Sequence, residues 1–358
     1  MHCICRRNRG GISPKRSAAI WGATEKLACF SCILRENMLI FIYTRRFGYG
    51  FTRVCFLPED RVLRMFEIST DSTADLYLDE VKKHELYFLP LTFTLTDKDV
   101  ITEYKDEFSR PEEYHEYYEK LRSGIVSKTS MNNPFIHEAH FRKMAEAGVK
   151  NAVHFTISYG LCRTVDVARE AVETVKKDFP DFNCLCIECS TTTIGQGAMV
   201  NIAIDMRNNG KTAQETFDYI ESVKLKFQHF VIADSLIYLM RGGRISAAKA
   251  AIGTVLNVKP IIVFGKDGKL VNYKKERGMR KSVSAIVDEF KNYTLNKDYP
   301  IMYIGHTDNP DMAALLYNEL NERYGLTPEI RMIGPVIGSH LGPNAVAYAF
   351  LSNEERPV

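Results

Sequence analysis

The sequence lacks the short motifs that usually reveal an enzyme. It contains no G-x-x-x-x-G-K-[ST] phosphate loop, no G-x-S-x-G nucleophile elbow and no H-E-x-x-H zinc helix. No run approaches the about 18 consecutive apolar residues that a membrane span needs. The sequence therefore does not support a P-loop nucleotide site, a serine hydrolase or a zinc site on a helix. We also expect no membrane-spanning segment.

The chain also lacks a strong excess of either charge. Its 47 basic and 44 acidic residues give a net charge of +3, which offers no case for nucleic acid as a partner. With 45% hydrophobic and 25% charged residues, the composition is that of an ordinary globular protein. A length of 358 residues suggests roughly two domains.

The average composition hides a change at Met65. Residues 1–64 carry 12 basic and four acidic residues, a net charge of +8, which leaves 35 basic and 40 acidic residues after them. Five of the nine cysteines also lie in this first segment. It fits a transit peptide, a zinc knuckle built on Cys3/Cys5 and Cys29/Cys32, or translation from an upstream start. We interpret residues 1–64 as an N-terminal extension from a start codon assigned too early, with a leader as the alternative.

From residue 65 onward, strand-like and helix-like segments alternate, which predicts parallel βαβ units. Extended segments are predicted at residues 66–69, 86–95, 149–157 and 185–187, and helices at residues 112–121 and 164–177. After Gln228 the pattern changes, because residues 265–268 predict a hairpin turn, and a short helix is predicted at 247–256. We therefore predict an α/β fold with a parallel α/β/α first domain (65–228) and an α+β second domain (229–358).

Three segments rich in hydroxyl groups or glycine mark candidate sites, at residues 127–134, 158–164 and 334–343. Ligands of open α/β sheets bind at the carboxyl ends of strands, and helix N-termini there favour anions. In the first two segments the alternative is helix capping, by Ser130 or Asn133 and by Thr164. The third predicts a stiff, exposed loop around His340, for which structural and functional roles are balanced.

Other reactive side chains have ordinary explanations. Asp71 and Asp75 are expected to cap and charge a helix N-terminus. Cys184, Cys186 and Cys189 are predicted to be buried thiols of a reducing compartment, since no further ligand follows at metal spacing. We therefore predict no metal site and a cytoplasmic location.

The order of several short motifs resembles the DegV family, the fatty-acid-binding partners of bacterial fatty acid kinase. The resemblance extends from Phe66 to Leu351. The motifs that carry it stand at residues 69–75, 90–91, 128–130, 158–161, 239–246, 257–261 and 334–343.

This resemblance implies a two-domain DegV-like (EDD) fold with a lipid tunnel where the domains meet. The first domain would hold the lipid head group, and the second would close the tunnel. The carboxylate is expected at the hydroxyls of Thr129, Ser130 and Ser158, with His340 nearby. Supporting roles are expected for Asp71, Ser72, Tyr159, Cys162 and Arg163.

The second segment departs from the family pattern Ser-Ser-x-Leu-Ser-Gly-Thr. Here Tyr159, Cys162 and Arg163 replace a serine, a serine and the glycine, which affects the head-group geometry and kinase recognition. We expect Arg163 to point to solvent, because a cation at a helix N-terminus opposes the helix dipole.

The function implied by the resemblance is that of a carrier without catalytic residues or cofactor. It would bind one long-chain fatty acid and present the carboxylate to a separate fatty acid kinase, with Arg241 and Arg244 as candidate partner-binding residues. Contact with membranes would be transient at most. Two alternatives remain: a standalone acyl- or phosphoryl-transfer enzyme with His340 as base, and a lipid-sensing regulatory protein that binds its partner through Arg241 and Arg244.

Overall fold

The structure, a computed structural model, describes residues 64–244 and 257–358 and two strands nearer the N-terminus. The chain divides into two compact units, residues 1–63 and 64–358. In the first unit, β1 (Cys29–Arg35) pairs antiparallel with β2 (Met38–Thr44). The border between the two units lies close to the change in composition at Met65. The interpretation that the start codon was assigned too early stays a prediction. The side chains of the zinc-knuckle hypothesis and the helix predicted at 247–256 lie outside the described residues.

The second unit is built from strands that belong to three sheets. In chain order they are β3 (Glu67–Asp71), β4 (Tyr87–Leu89), β5 (Thr92–Asp97), β6 (Val100–Lys105), β7 (Val126–Ser130), β8 (Asn151–Thr156), β9 (Asn183–Glu188), β10 (Phe227–Ile232), β11 (Val258–Phe264), β12 (Leu270–Arg277), β13 (Met302–His306), β14 (Glu329–Met332) and β15 (Val346–Leu351).

The helices of this unit connect and cover the sheets. They are α1 (Leu78–Lys83), α2 (Pro111–Arg122), α3 (Pro134–Glu146), α4 (Thr164–Asp178), α5 (Thr193–Asn208), α6 (Ala213–Val223), α7 (Ile237–Arg241), α8 (Met279–Glu289), α9 (Pro310–Tyr324) and α10 (Pro335–Leu341). Among the described residues, none of the helices is both long and apolar enough to cross a membrane.

The three sheets differ in the direction of their strands. The first, in the order β4-β3-β8-β9, is parallel throughout. The second, β6-β5-β7, is antiparallel. The third, β12-β11-β10-β15-β13-β14, is antiparallel except for the pair β13–β14. A parallel α/β part followed by an α+β part was predicted, and this fold class is confirmed.

Helix α5 explains how the two larger sheets pack. Its side chains are small or apolar on nearly all sides, as expected of a helix without a solvent face. It shares one apolar cluster with Ile68 and Val153 of the parallel sheet and with Phe227 and Leu351 of the six-stranded sheet. Helices α3 and α4 cover the outer face of the first sheet, and α8 and α9 that of the last.

Several local expectations are confirmed and one is wrong. The predicted helix at 164–177 corresponds to α4, and the turn at 265–268 joins β11 and β12 as a hairpin. The extended segment predicted at 86–95 is present as two strands, because β4 and β5 separate at Pro90 and enter different sheets. The exposed loop predicted at 334–343 is wrong, since most of it forms the buried helix α10. The domain boundary at 228/229 stays a prediction.

Candidate functional site

An apolar cavity lies among the elements that join the three sheets. It contains about 790 Å³ of empty space, part of which opens to solvent. Aliphatic and aromatic side chains form most of its wall. They are Leu91, Met131, Ile157, Leu161, Val231, Leu239, Phe264, Leu270, Ile333, Val336, Ile337, Leu341 and Ala347.

A second cavity shares part of this wall but has a different character. Its lining includes Ser127 of β7, Ser339 of α10 and three cations, Lys128, Arg241 and Arg244. Thr129, Arg244 and His340 line both cavities. A ligand with an acidic head and an apolar body would therefore find a polar, basic surface next to an apolar one.

At this junction a hydrogen bond of 2.8 Å joins Thr129 Oγ1 to His340 Nε2. Thr129 belongs to β7, and His340 lies near the end of α10. Burial, with Arg244 as a nearby positive charge, lowers the pKa of His340 to about 4. The imidazole is therefore neutral at neutral pH, and it orients the Thr129 hydroxyl at the site.

Glycine at position 242 is required by the position of His340. A Cβ atom at Gly242 would lie 2.1 Å from His340 Nδ1, far inside contact distance. The absence of a side chain thus lets the segment that carries Arg241 and Arg244 approach α10 closely.

Two buried carboxyl groups hold the other end of α10. Asp75 accepts a hydrogen bond of 2.9 Å from the N–H of Gly334, and the carboxyl group of Asp106 packs against the same residue, 3.2 Å from where a Cβ atom of Gly334 would lie. Burial raises the pKa of Asp106 to about 7, and burial and the neighbouring Asp106 raise the pKa of Asp75 well above its usual value. These contacts tie α10, and with it His340, to the loop after β3.

The family model described as uncharacterised protein, DegV family, matches residues 65–353. The chain belongs to the DegV family. A DegV domain-containing protein of Clostridium perfringens is 32% identical over 296 residues, which cover 82% of this chain and all of that relative.

Solved DegV structures share the fold. A DegV family protein from Thermus thermophilus, described for its fatty acid binding, is 26% identical with a TM-score of 0.68, over 80% of this chain and 99% of its own. A DegV lipid binding protein from Thermotoga maritima has the same TM-score of 0.68 at 24% identity, over 81% of this chain and 99% of its own. The second likeness shows the fold alone.

The residues predicted for the head group are only partly brought together. Thr129, Ser130 and His340 line the apolar cavity, with Ser130 at the end of β7 rather than capping α3. Asn133 caps that helix, accepting a hydrogen bond of 3.1 Å from Ile136 N–H. Ser158 does not line the cavity.

Ser158 instead holds the β11–β12 hairpin. Its buried hydroxyl donates to the Gly268 carbonyl at 2.7 Å and accepts from the Gly160 N–H at 3.2 Å. A Cβ atom at Gly160 would lie 2.4 Å from the backbone of Gly268, so the glycine permits close approach of the hairpin rather than of a ligand. A direct lipid contact of Ser158 stays a prediction that this geometry does not favour.

In residues 158–164, the side chains that depart from the family pattern lie in different surroundings. Cys162 lines the cavity. Arg163 is largely exposed; it pairs with Asp166 at 2.9 Å and lies over the ring of Tyr159, as expected for a side chain directed to solvent. The alternative role of Thr164 as the cap of α4 does not hold, because it is the first residue of that helix and its hydroxyl faces His137 Nε2 at 3.3 Å.

In the segment after β3, the residue that lines the apolar cavity is one that was not predicted. Asp71 caps the short 3-10 helix Ser72–Ala74, and the Ser72 hydroxyl accepts a hydrogen bond from Leu91 N–H. Neither lines the cavity, whereas Thr73 does.

Three further lining residues were also missed: Thr192, Thr193 and His229. The two threonines follow strand β9 and begin α5, so the rule that ligands bind at the carboxyl ends of strands selects them. His229 lies within a buried strand, and its sequence position gives no indication that it lines a ligand site.

One group of side chains in the described residues has the spacing of a metal site: His115, Glu119 and Asp308. Arg122 already donates hydrogen bonds to both carboxylates, at 2.6 Å to Glu119 and 2.5 Å to Asp308. The Arg122 guanidinium therefore already supplies the positive charge between these carboxylates. That the protein binds no metal stays a prediction.

Proposed function

We propose that this protein binds one long-chain fatty acid in the apolar cavity and is not itself an enzyme. The observation that carries the proposal is the junction at Thr129, Arg244 and His340, where the apolar cavity meets the basic one. The fatty acid and lipid binding described for the Thermus and Thermotoga proteins supports it.

The acyl chain would supply most of the affinity. Each buried CH₂ group contributes about 0.8 kcal/mol, so a long chain contributes on the order of 10 kcal/mol before ordering costs are subtracted. The carboxylate would accept a hydrogen bond from the Thr129 hydroxyl and lie near the Arg244 guanidinium. A neutral His340 would avoid a second buried charge.

The exposed carboxylate would then be phosphorylated by a separate kinase in the cytoplasm, without a cofactor held by this chain. Lys128, Arg241 and Arg244 line the basic cavity, and guanidinium groups suit phosphate oxygens because their donors match them in pairs. The kinase would dock over this cavity with its nucleotide.

The test compares lipid binding with phosphorylation. The protein, a bacterial fatty acid kinase, ATP and radiolabelled palmitic acid are mixed, and the acyl phosphate is measured. We expect Arg241→Ala to retain palmitic acid affinity but to slow acyl phosphate formation by roughly tenfold, since this side chain lines only the basic cavity.

Arg280→Ala is the matched control, because it removes another exposed arginine that lines neither cavity. Turnover of acyl or phosphoryl donors without the kinase would contradict the carrier role and favour a standalone enzyme. A lipid-dependent complex without phosphorylation would favour a regulatory protein.

We also propose that the fatty acid enters by transient contact with a membrane. Met131 lines the apolar cavity and is exposed, and Phe135 and Ile136 next to it on α3 are exposed as well. Phe135→Asp is expected to slow transfer of fatty acid from vesicles while leaving the affinity for dissolved fatty acid unchanged.

A further inference from the structure

The imidazole of His229 lies in the wall of the apolar cavity. His229 belongs to β10 and is buried, and Val231, two positions along the same strand, lines the same cavity. The ring of Phe264 on the neighbouring strand packs against the imidazole, with 5.3 Å between the ring centroids. The ring is thus fixed on one face by an aromatic neighbour.

The two nitrogens of this ring have different surroundings. Nδ1 forms a hydrogen bond of 2.9 Å with the hydroxyl of Thr191, which fixes that edge of the ring. Nε2 is buried and has no hydrogen-bond partner among the residues that the structure describes. Burial, together with the positive charge of Arg356, lowers the pKa of His229 to about 3, so the ring is neutral at neutral pH.

Three of the threonines that line the cavity, Thr73, Thr192 and Thr193, already use their hydroxyls in other hydrogen bonds. Thr193 accepts from the N–H of Ile194, and Thr192 donates to the carbonyl of Thr73 at 3.4 Å. The Thr73 hydroxyl lies in a network with Asp71 and Gln196. An unsubstituted hydrocarbon chain in the cavity would therefore leave Nε2 without a hydrogen-bond partner.

We propose that this cavity selects a fatty acid that carries a hydroxyl group on its chain, with Nε2 of His229 as the partner of that hydroxyl. The inference rests on the fatty acid binding proposed above and specifies the ligand class. A neutral imidazole has one donor and one acceptor nitrogen, and which of them faces Thr191 depends on the tautomer. A hydroxyl group satisfies Nε2 in both tautomers, whereas a keto oxygen satisfies it in only one.

The position of the hydroxyl along the chain should matter. The carboxylate is expected at Thr129 and His340, on β7 and α10, whereas His229 lies on β10 of another sheet. Two polar groups on separate elements of one apolar wall fix two points of the ligand. Only a chain with the matching interval between carboxylate and hydroxyl can satisfy both.

The experiment measures dissociation constants of the delipidated full-length chain for stearic acid and for hydroxystearic acids with the hydroxyl at successive positions. We expect one positional isomer to bind roughly tenfold more tightly than stearic acid. His229→Asn retains an amide where Nδ1 contacts Thr191 but removes Nε2, so it should abolish the preference, measured as the ratio of the dissociation constants for stearic acid and for the preferred isomer. His229→Gln carries a polar atom close to the place of Nε2 and should restore part of the preference.

The outcomes separate the two proposals. If the unchanged protein binds no stearic acid and no hydroxylated isomer, the proposed fatty acid function is wrong. If stearic acid binds and no isomer binds more tightly, or if His229→Asn keeps the preference, the function stands and the assignment to His229 is overturned. The isomer series on the unchanged chain decides the question even if a variant fails to fold.

Discussion

Thr129 and His340 are 211 positions apart in the sequence, and a hydrogen bond of 2.8 Å joins their side chains where the apolar and basic cavities meet. Hydrogen bonds to charged groups contribute about 1.5–3 kcal/mol. Thr129→Ala is therefore expected to weaken fatty acid binding by roughly ten- to a hundredfold. Thr129→Ser, which keeps the hydroxyl, is the control for titration with a fluorescent fatty acid. Equal losses in both variants would mean that the methyl group, not the hydroxyl, matters.

Ser158→Ala should act on stability rather than on affinity. The change leaves the buried carbonyl of Gly268 without its donor, which costs about 1–3 kcal/mol of the free energy of unfolding. Ser123→Ala removes an exposed hydroxyl of α2's C-terminus and should change stability little. Urea unfolding measures both variants. A tenfold loss of fatty acid affinity in Ser158→Ala would restore this residue to the head-group site.

Arg163→Gly should leave fatty acid affinity within about twofold of the unchanged protein, because the side chain is exposed and its pairing with Asp166 is at the surface. The substitution also restores the glycine of the family pattern. Phosphorylation by the kinase, measured in parallel, reports whether this arginine alters docking. A large fall in affinity would show that Arg163 reaches the ligand in solution.

Acid should destabilise the protein through its buried histidines. Ser69 bridges His140 Nε2 at 2.7 Å and His154 Nδ1 at 2.8 Å, and burial lowers the pKa of His140 to about 3. The unfolded chain binds these protons more readily, so this stability is complete above the unfolded pKa of about 6.5 and is lost as the pH falls toward 3. Melting temperatures across this range should fall less steeply in His140→Phe. A fall as steep in His140→Phe as in the unchanged protein would contradict this origin.

Asp106 should have the opposite dependence. Burial raises its pKa to about 7, so the stability it contributes is complete below the unfolded value of about 3.8 and is lost as the pH rises through 7. Relative to the unchanged protein, Asp106→Asn should therefore melt at increasingly higher temperature as the pH rises across this window. A difference in melting temperature that is independent of pH would contradict a protonated Asp106.

The sequence predicted the fold class because alternating strands and helices and the 265–268 turn are local signals. Local signals also misled. The glycines and prolines at 334–343 indicated a loop, although Pro335 at the first position of a helix is itself a common start signal. Ser158 and Gly268 are 110 positions apart, and no sequence pattern around either residue predicts their contact. His229 likewise faces the cavity only because β10 pairs with β11 and β15.

Strand β15 lies between β10 and β13, although it is synthesised after both of them. Residue Ala347 of this strand is part of the cavity wall. While the chain is still on the ribosome, β10 and β13 therefore lack the strand that joins them, and the earlier-made parallel sheet can fold first. If the cavity holds a fatty acid as proposed, it can be loaded only after β15 has been released, so nascent chains should carry no fatty acid.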